Sequence, residues 1–395
     1  MSTQKLYYFD SYLTEFQANI IEIIPYQDKY AIIMDKTYFY PESGGQPSDI
    51  GTINSVSISY VVEQENKILH IADNKLELGP VSCKIDWDNR FYSMQQHSGQ
   101  HILSACFYKL YQGETSSFHI GKDTVTIEID IESFNADMAE QVEEMANSMI
   151  YNNHIISTDI VDKDKLTLLP LRKQPKVTSN IRIVDIEGCD CSPCGGTHVK
   201  ATGEIGIIKI KRWEKLKNSH KFEFICGIRA LKDYRYKNTL VNKLGAYLSA
   251  SEQDVEKAFL KFTEDYKGLQ KQVSQFRNEL VTYDAHSLME QSIDIGGLKV
   301  ISKILENRDF NEIKLIAQII VSNPSKIALL ATSNEGSQLI FTRSDDTEIN
   351  MNNLLKSILP IINGKGGGSS KAAQGGGSGD IQAALASAVE SLKTL

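Results

Sequence analysis

Over the first 88 residues, short apolar runs are broken by turn-forming residues: "YAIIMDKTYFY", then "PESGGQPSDIG", then "TINSVSISYVV". Such runs predict the short strands of a small β-barrel-like domain, with a glycine loop between two of them. From 89 to 230 the period changes. "RFYSMQQHSGQHILSACFYKLY" reads as a helix, "TVTIEIDI" alternates as a strand does, and 137–152 is helical again. "IRIVDI", "EIGIIKIKRW" and "KFEFICGIRA" predict further strands, so this second domain is α+β. In 231–285, Phe259, Phe262, Tyr266, Leu269 and Val273 stand three and four apart among charged residues. The spacing predicts an amphipathic helix in a helical linker, half of a helical hairpin, with a seam too short and irregular to demand a coiled coil. In 286–395, strand-like "LKVISKIL", "KIALLAT" and "SQLIFTR" alternate with helical segments, predicting an α/β domain. There "NGKGGGSSKAAQGGGSGD" reads as an ordered loop ahead of an alanine-rich helix.

Composition narrows the class. With 41% hydrophobic and 23% charged residues in 395, the chain is an ordinary globular one, long enough for several cores. Six unevenly spaced cysteines do not make a disulfide framework, and no apolar run reaches membrane-spanning length. With no signal-peptide pattern in the first ten residues, the expectation is a reduced, cytoplasmic protein without a membrane partner. The net charge of −8 does not advertise nucleic acid, although a local basic strip could still serve one.

The chemistry sits in two short strings. In "HSGQH", His97 and His101 are four apart on the predicted helix. At 100° per residue they leave it about 40° apart, away from the stripe of Gly99, Leu103, Cys106 and Leu110. In "CSPCGGTHV", Cys194 and His198 are separated by two glycines that let the backbone turn. One thiolate and three imidazoles suit a tetrahedral zinc ion. A rival set, Cys189, Cys191 and Cys194, lacks a nearby fourth thiol. The residues favour the His97, His101, Cys194, His198 set, assembled by the fold from pairs about a hundred residues apart.

Taken in order, "DKTYFYPESGGQPSD", "HSGQH", "PLRKQPKV", "IRIVDI", "CGGTH" and "TGEIGIIKI" resemble the editing domain of alanyl-tRNA synthetases and the long free-standing AlaX editing proteins. The last domain, with "GKGGGSSKAAQGGG", is similar to the DHH-associated domain that ends those synthetases. The resemblance spans essentially the whole chain. It implies zinc on the four residues above and hydrolysis of serine or glycine wrongly esterified to the tRNA for alanine. It also implies that Thr37 contacts the serine side chain and that Gly44, Gly45 and Gln46 approach the tRNA terminus or brace the pocket. Where many relatives carry a glutamine, this chain has "ETSSFHIGKD", making Ser117 and His119 the pocket candidates, His119 as a proton carrier.

Two segments could grip the tRNA. "KIKRWEKLKNSHK" offers Lys211 and Arg212 beside Trp213, and the glycine-rich loop offers Lys365 and Lys371. The resemblance also implies that the last domain binds tRNA and forms a homodimer. A full synthetase is not expected, because no class II catalytic domain with its ATP-binding arginines is recognisable. Nor is a DHH phosphoesterase, because Asp284-Ala285-His286 stands alone. The alternative function is a non-catalytic tRNA-binding protein with a structural zinc.

Overall fold

The computed structural model describes residues 3–175, 181–306, 308–333 and 336–394, so Lys176 and Val177 of "PLRKQPKV" lie outside the described residues. The chain divides into two compact units, 1–243 and 244–395.

In the first unit, β1 (Glu15–Tyr26), β2 (Lys29–Met34), β3 (Gly51–Ile53), β4 (Val56–Gln64), β5 (Lys67–Ala72) and β6 (Gly79–Ile85) pair in the cyclic order β1-β2-β5-β4-β3-β6, closing a barrel. Alternation sets the inside: Val81, Cys83 and Ile85 of β6 are buried while Ser82 and Lys84 are exposed. The stretch "DKTYFYPESGGQPSDIG" leads from β2 to β3. Within it Lys36 and Thr37 form a two-residue parallel pair with Gln4 and Lys5.

The helix α1 (Trp87–Tyr111) starts at Asp86, whose carboxylate accepts the Asn89 N–H at 3.0 Å, and ends at Gln112 in the left-handed conformation. Leu103, Cys106 and Phe107 face a core built with Val142 of α2 (Ala136–Tyr151), Ile127 of a four-stranded sheet, and Phe222 and Phe224 of the same sheet. That antiparallel sheet runs β12-β13-β8-β7, from β7 (Glu114–Ile120), β8 (Val125–Asp130), β12 (Ile208–Lys215) and β13 (His220–Cys226). A smaller sheet, β9 (Ile156–Val161), β10 (Ile181–Ile186) and β11 (Asp190–Pro193), delivers the CGGTH segment. Two expected strands end differently. "EIGI" opens with a 3-10 turn at Thr202–Ile205, and "GIRA" begins α3 (Ile228–Leu248), where Gly227 at φ +58° turns the chain out of β13.

Every residue of α1 from Ser93 to Phe107 is buried, including Gln95, Gln96, His97, Ser98, Gln100 and His101. The face opposite the apolar stripe is therefore a second interior face, and its polarity is explained below by what it holds. Arg90, at the start of α1, is wholly buried and joins the helix to the barrel. Its guanidinium forks onto Asp49 and donates at 2.6 Å to the carbonyls of both Ser11 and Tyr38. Asp49 also accepts the Tyr40 N–H at 2.6 Å.

In the second unit, α4 (Val255–Glu290) precedes a six-stranded sheet: β14 (Ile293–Ile295), β15 (Leu298–Ile304), β16 (Lys326–Thr332), β17 (Ser337–Arg343), β18 (Lys365–Gly368) and β19 (Ala372–Gly377), in the order β14-β15-β16-β17-β19-β18. Helix α5 (Phe310–Val321) crosses between the parallel β15 and β16, and α6 (Met351–Ile358) and α7 (Ile381–Lys393) cover the other face. With both faces covered, β16 reads as an unbroken apolar run: Ile327 and Leu329 enter one core, Ala328 and Leu330 the other.

The glycine-rich segment expected as a loop is instead the hairpin β18–β19 at the sheet edge. Glycine is required there by close approach. A Cβ at Gly377 would stand 2.0 Å from the Ile362 carbonyl, and one at Gly366 would stand 2.5 Å from that of Gln374. The seam of α4 is also more regular than expected. Carried past Val273, it reads Phe259, Phe262, Tyr266, Leu269, Val273, Phe276, Leu280, Tyr283, with strictly alternating steps of three and four, and all eight are exposed. Toward its C-terminal end α4 packs through Val281, Ala285 and Leu288 against α5.

Because Arg90 and Asp49 are buried together, removing one leaves the other charge uncompensated. Arg90→Ala is expected to lower stability by about 3–5 kcal/mol in urea titrations. The double variant Arg90→Met, Asp49→Leu should be less destabilised than that single change.

Candidate metal centre

The fold brings His97 and His101 from α1 together with Cys194 and His198, which follow β11. One potential ligand atom from each lies within 4.8 Å of all the others. The Cys194 Sγ is 3.4 Å from His97 Nε2 and 3.3 Å from His198 Nε2. With Zn–S near 2.3 Å and Zn–N near 2.05 Å, a tetrahedron has S···N edges of about 3.6 Å. The donors thus stand close to the separation a single tetrahedral ion requires. Cys189 and Cys191 take no part: Cys191 is buried in a separate apolar cluster under β9 and β10, and Cys189 packs on the main core.

What aims the histidines is visible on their far nitrogens. His97 Nδ1 is 2.7 Å from Gln46 Oε1, which also accepts the Thr197 N–H at 3.1 Å, while Gln46 Nε2 donates to Thr197 Oγ1 at 2.8 Å. An amide oxygen only accepts, so the His97 proton sits on Nδ1 and the Nε2 lone pair faces the cluster. His101 Nδ1 donates to Asp190 Oδ2 at 2.8 Å, which turns Nε2 toward the cluster. Asp190 is gripped in turn by Arg172, Nε at 2.6 Å and Nη2 at 3.1 Å, and by the Ser192 hydroxyl. His198 Nδ1 pairs with Ser98 Oγ at 3.0 Å, and that hydroxyl accepts the Val199 N–H. Ser98 and Gln46 are thus positioning residues. On the polar inner face of α1, His97, Ser98 and His101 serve this cluster, while Gln95 and Gln96 bond the backbone of Glu204 and Cys226.

The charges follow. Burial works against a thiolate at Cys194, but His97, His198 and His101 outweigh it and hold the thiol well below its usual range. At His101 burial opposes the charged ring, and the bond to Asp190 overcomes that, raising it to about 9. Burial pushes His198 down to about 3. Burial also disfavours the Asp190 carboxylate, yet His101 and Arg172 hold it below the normal carboxylate range. A thiolate among imidazoles is a borderline-soft donor set, the kind that selects zinc over hard, oxygen-seeking cations.

A chamber of about 290 Å³ opens beside the cluster, with walls that include Tyr40, Gly44, Gln100, Thr115, Ser116, Ser117, Arg172 and Lys173. It is at the small end for ligand pockets. Gly45, at φ +85°, lies so close to β7 that a Cβ would stand 2.2 Å from the Phe118 carbonyl, and its own carbonyl accepts the Ile120 N–H at 2.7 Å. The glycine loop is thereby tied to the strand that carries Ser117. Gly196 is tighter still: a Cβ there would fall 2.1 Å from the His97 ring.

The other expected site residues are dispersed. Ser117 lines the chamber, its hydroxyl 3.3 Å from Glu128. His119, two residues on, is exposed and is not among the lining residues. Thr37 is fully buried behind the wall. Its hydroxyl donates to His70 Nε2 at 2.8 Å and accepts the Phe39 N–H at 3.0 Å, while His70 donates from Nδ1 to the Ile32 carbonyl. Burial holds His70 neutral, down to about 4, which suits this acceptor role. In the basic hairpin, Lys211 pairs with Asp233 at 3.2 Å and Arg212 with Glu223. Lys371 pairs with Asp345 at 2.7 Å, and Lys365 is exposed.

Known proteins share this arrangement of segments. Residues 181–219 match the threonyl and alanyl tRNA synthetase second additional domain, and 297–394 match the DHHA1 domain. Residues 9–89, which include the barrel, match tRNA synthetases class II (A). The alanyl-tRNA editing protein AlaX-L of Pyrococcus horikoshii is 32% identical over 391 residues, covering 94% of each chain. This chain belongs to the AlaX family of alanyl-tRNA editing proteins. The family's Aarsd1 of Rattus norvegicus is 29% identical over 384 residues, 93% of this chain and 92% of that one. An alanine–tRNA ligase of Methanobrevibacter smithii is 28% identical over 395 residues, but the match takes in only 44% of the ligase. The AlaX resemblance read from the motifs is therefore correct. Among the described residues no helix is long and apolar enough to cross a membrane.

Two glycines separate close approach from backbone conformation. Gly196→Ala should displace His97 and reduce bound metal, measured by elemental analysis, by roughly tenfold or more. Gly44→Ala, at φ +57° with nothing within 4 Å of the new methyl, should keep its metal and lose only about 1 kcal/mol of stability to backbone strain.

Proposed function

We propose that this chain is a trans-editing hydrolase that cleaves the ester of tRNA(Ala) mischarged with serine or glycine and spares the alanyl ester, with Zn²⁺ on His97, His101, Cys194 and His198. The observation that carries this reading is the small chamber built against the four-residue cluster, with hydroxyls and cations on its wall. The names of the relatives, alanyl-tRNA editing proteins, support the substrate class.

An alanine pocket rejects glycine weakly, because glycine is smaller, and serine weakly, because it adds only a hydroxyl. A second site that hydrogen-bonds that hydroxyl reverses the preference, since alanine leaves its polar groups unpaired. In this reading Ser117, loosely tied to Glu128, meets the seryl hydroxyl. Thr37, bonded to His70 and to the Phe39 N–H, acts from behind, bracing the segment that carries the wall residue Tyr40. Gly44 brings bare backbone to the chamber, so the terminal ribose can approach closely, while Gly45 ties the loop to β7 and Gln46 holds His97. Zinc, when bound, supplies a Lewis acid beside the ester and a positive charge that orients the aminoacyl group. Arg172 and Lys173 add positive charge to the chamber wall. Lys211 and Arg212 in the first unit, and Lys365 and Lys371 in the second, each contact tRNA, three of them by exchanging a carboxylate for a phosphate. The reduced cytoplasm, where tRNA is charged, is the compartment consistent with six free cysteines.

Deacylation of Ser-, Gly- and Ala-tRNA(Ala) by the wild type and His101→Ala, with zinc content recorded, tests the reading. Serine and glycine should be released with alanine spared, and His101→Ala should lose zinc and roughly a hundredfold or more in rate. A closed set of four ligands also suits a structural zinc. Binding of tRNA with zinc present and no ester cleavage would establish that alternative. An unchanged rate in His119→Ala would remove His119 as a proton carrier.

The homodimer expected through the last domain is proposed here instead on the exposed seam of α4, in the linker that precedes that domain. A 3–4 apolar stripe eight residues long is larger than isolated surface apolars explain. Sedimentation should find a dimer for the wild type and a monomer for Leu269→Glu, Phe276→Glu.

A further inference from the structure

A second concavity, a groove of about 510 Å³, lies in the first unit between the start of α1, the β7–β8 turn, β12, β13 and α3. Its lining carries Lys122, Lys211, Arg229 and Lys232 against Asp123 and Asp233, an excess of positive charge on a chain whose net charge is −8. Asp233 is already engaged by Lys211 and by Lys237. Lys122 and Lys232 are exposed and have no ion-pair partner among the described residues.

Arg229 is the anomaly. Its guanidinium lies 4.2 Å over the Tyr92 ring, and its Nη2 donates to the carbonyls of Gly121, at 2.8 Å, and Lys122. It meets no carboxylate among the described residues. Its Nη1 and the Tyr92 hydroxyl are both buried without a hydrogen-bond partner. Burial alone pushes the guanidinium down to about 10. A partly desolvated cation held by carbonyls and an aromatic face, beside two unpaired lysines, leaves a positive potential that an anion would complete. The groove also sits where α3 begins, and a helix N-terminus adds to that potential.

We propose that this groove binds the sugar–phosphate backbone of the RNA whose 3′ end enters the chamber. Lys122 and Lys232 neutralise phosphates there, and Arg229 holds the β7–β8 turn in place beneath them. The proposal rests on the tRNA reading above. Chamber and groove share one hairpin: Ser117 lines the first, and Lys122, five residues on, lines the second. At 3.3 Å per residue this is at most about 16 Å, within the length of a few nucleotides. Tyr236 adds an aromatic face on which a sugar or base can rest. An acidic peptide would satisfy the charges but not the continuity with a chamber for an aminoacyl ester.

The test measures binding of the uncharged tRNA(Ala) transcript to the full chain between 50 and 300 mM salt, with far-UV circular dichroism confirming that each variant is folded. Lys122→Ala, Lys232→Ala should weaken binding roughly tenfold and reduce the slope of log K against log salt by about two, one per phosphate contact. Asp123→Asn should tighten binding. A control with the same change in net charge, Lys75→Ala, Lys84→Ala in the barrel domain, should leave the slope as it was. If the wild type binds tRNA(Ala) and the groove variants match it in affinity and slope, the groove proposal falls while the editing reading stands. If a variant weakened by the lysine changes keeps the wild-type slope, the lysines do not meet phosphate and the proposal falls equally. If the wild type does not bind tRNA(Ala) at all, the editing reading itself fails.

Discussion

An imidazole can aim only one nitrogen at a metal, and its other nitrogen must be satisfied somewhere in the protein. Three histidines crowd this cluster, so three far nitrogens needed partners inside a buried space. Gln46, Asp190 and Ser98 supply them. That requirement explains why Ser98 is polar yet buried beside the two histidines of α1, and why a glutamine from the barrel loop bonds both the amide and the hydroxyl of Thr197. It also explains why an arginine grips an aspartate that never reaches the cluster itself.

The same requirement ties three parts of the first unit together. The barrel contributes Gln46, α1 contributes two histidines and Ser98, and the segment after β11 contributes the thiolate and the third histidine. Arg90 and Asp49 hold α1 against the loop that carries Gln46, with both charges out of water. A buried ion pair is a weak source of stability but a strict one, since either partner alone is costly. Here it fixes the register between helix and loop on which the Gln46–His97 bond depends. Glycine does the complementary work at Gly45 and Gly196, where any side chain would push the loop off β7 or the cluster segment off His97.

Cationic residues divide by whether they are already spoken for. The basic hairpin looks like a nucleic-acid strip in one dimension, but Lys209, Lys211, Arg212 and Lys221 each have a carboxylate in reach. Fewer cations line the groove below α3, yet Lys122, Lys232 and Arg229 are without acidic partners among the described residues. Local charge density in a run of sequence is thus a poor guide to local potential. The neutralising partner sits 11 residues from Arg212 and 66 from Lys209.

Period and spacing determined much by themselves. The alternation in "SCKI", the i, i+4 pair in "HSGQH" and the two glycines before His198 are local facts, and they led to the strands, the helix and the four-residue cluster. The eight-residue seam of α4 was equally legible but had to be followed beyond Val273. Tertiary structure alone decided the rest. That Thr37 faces His70 and not the chamber, that Gln46 holds a histidine, that Asp190 and Arg172 stand behind His101, and that "GKGGGSSKAAQGGG" is a hairpin all depend on distant partners. A side chain's period says which face it occupies. What waits on that face is set by chain many residues away, and only the folded packing brings the two together.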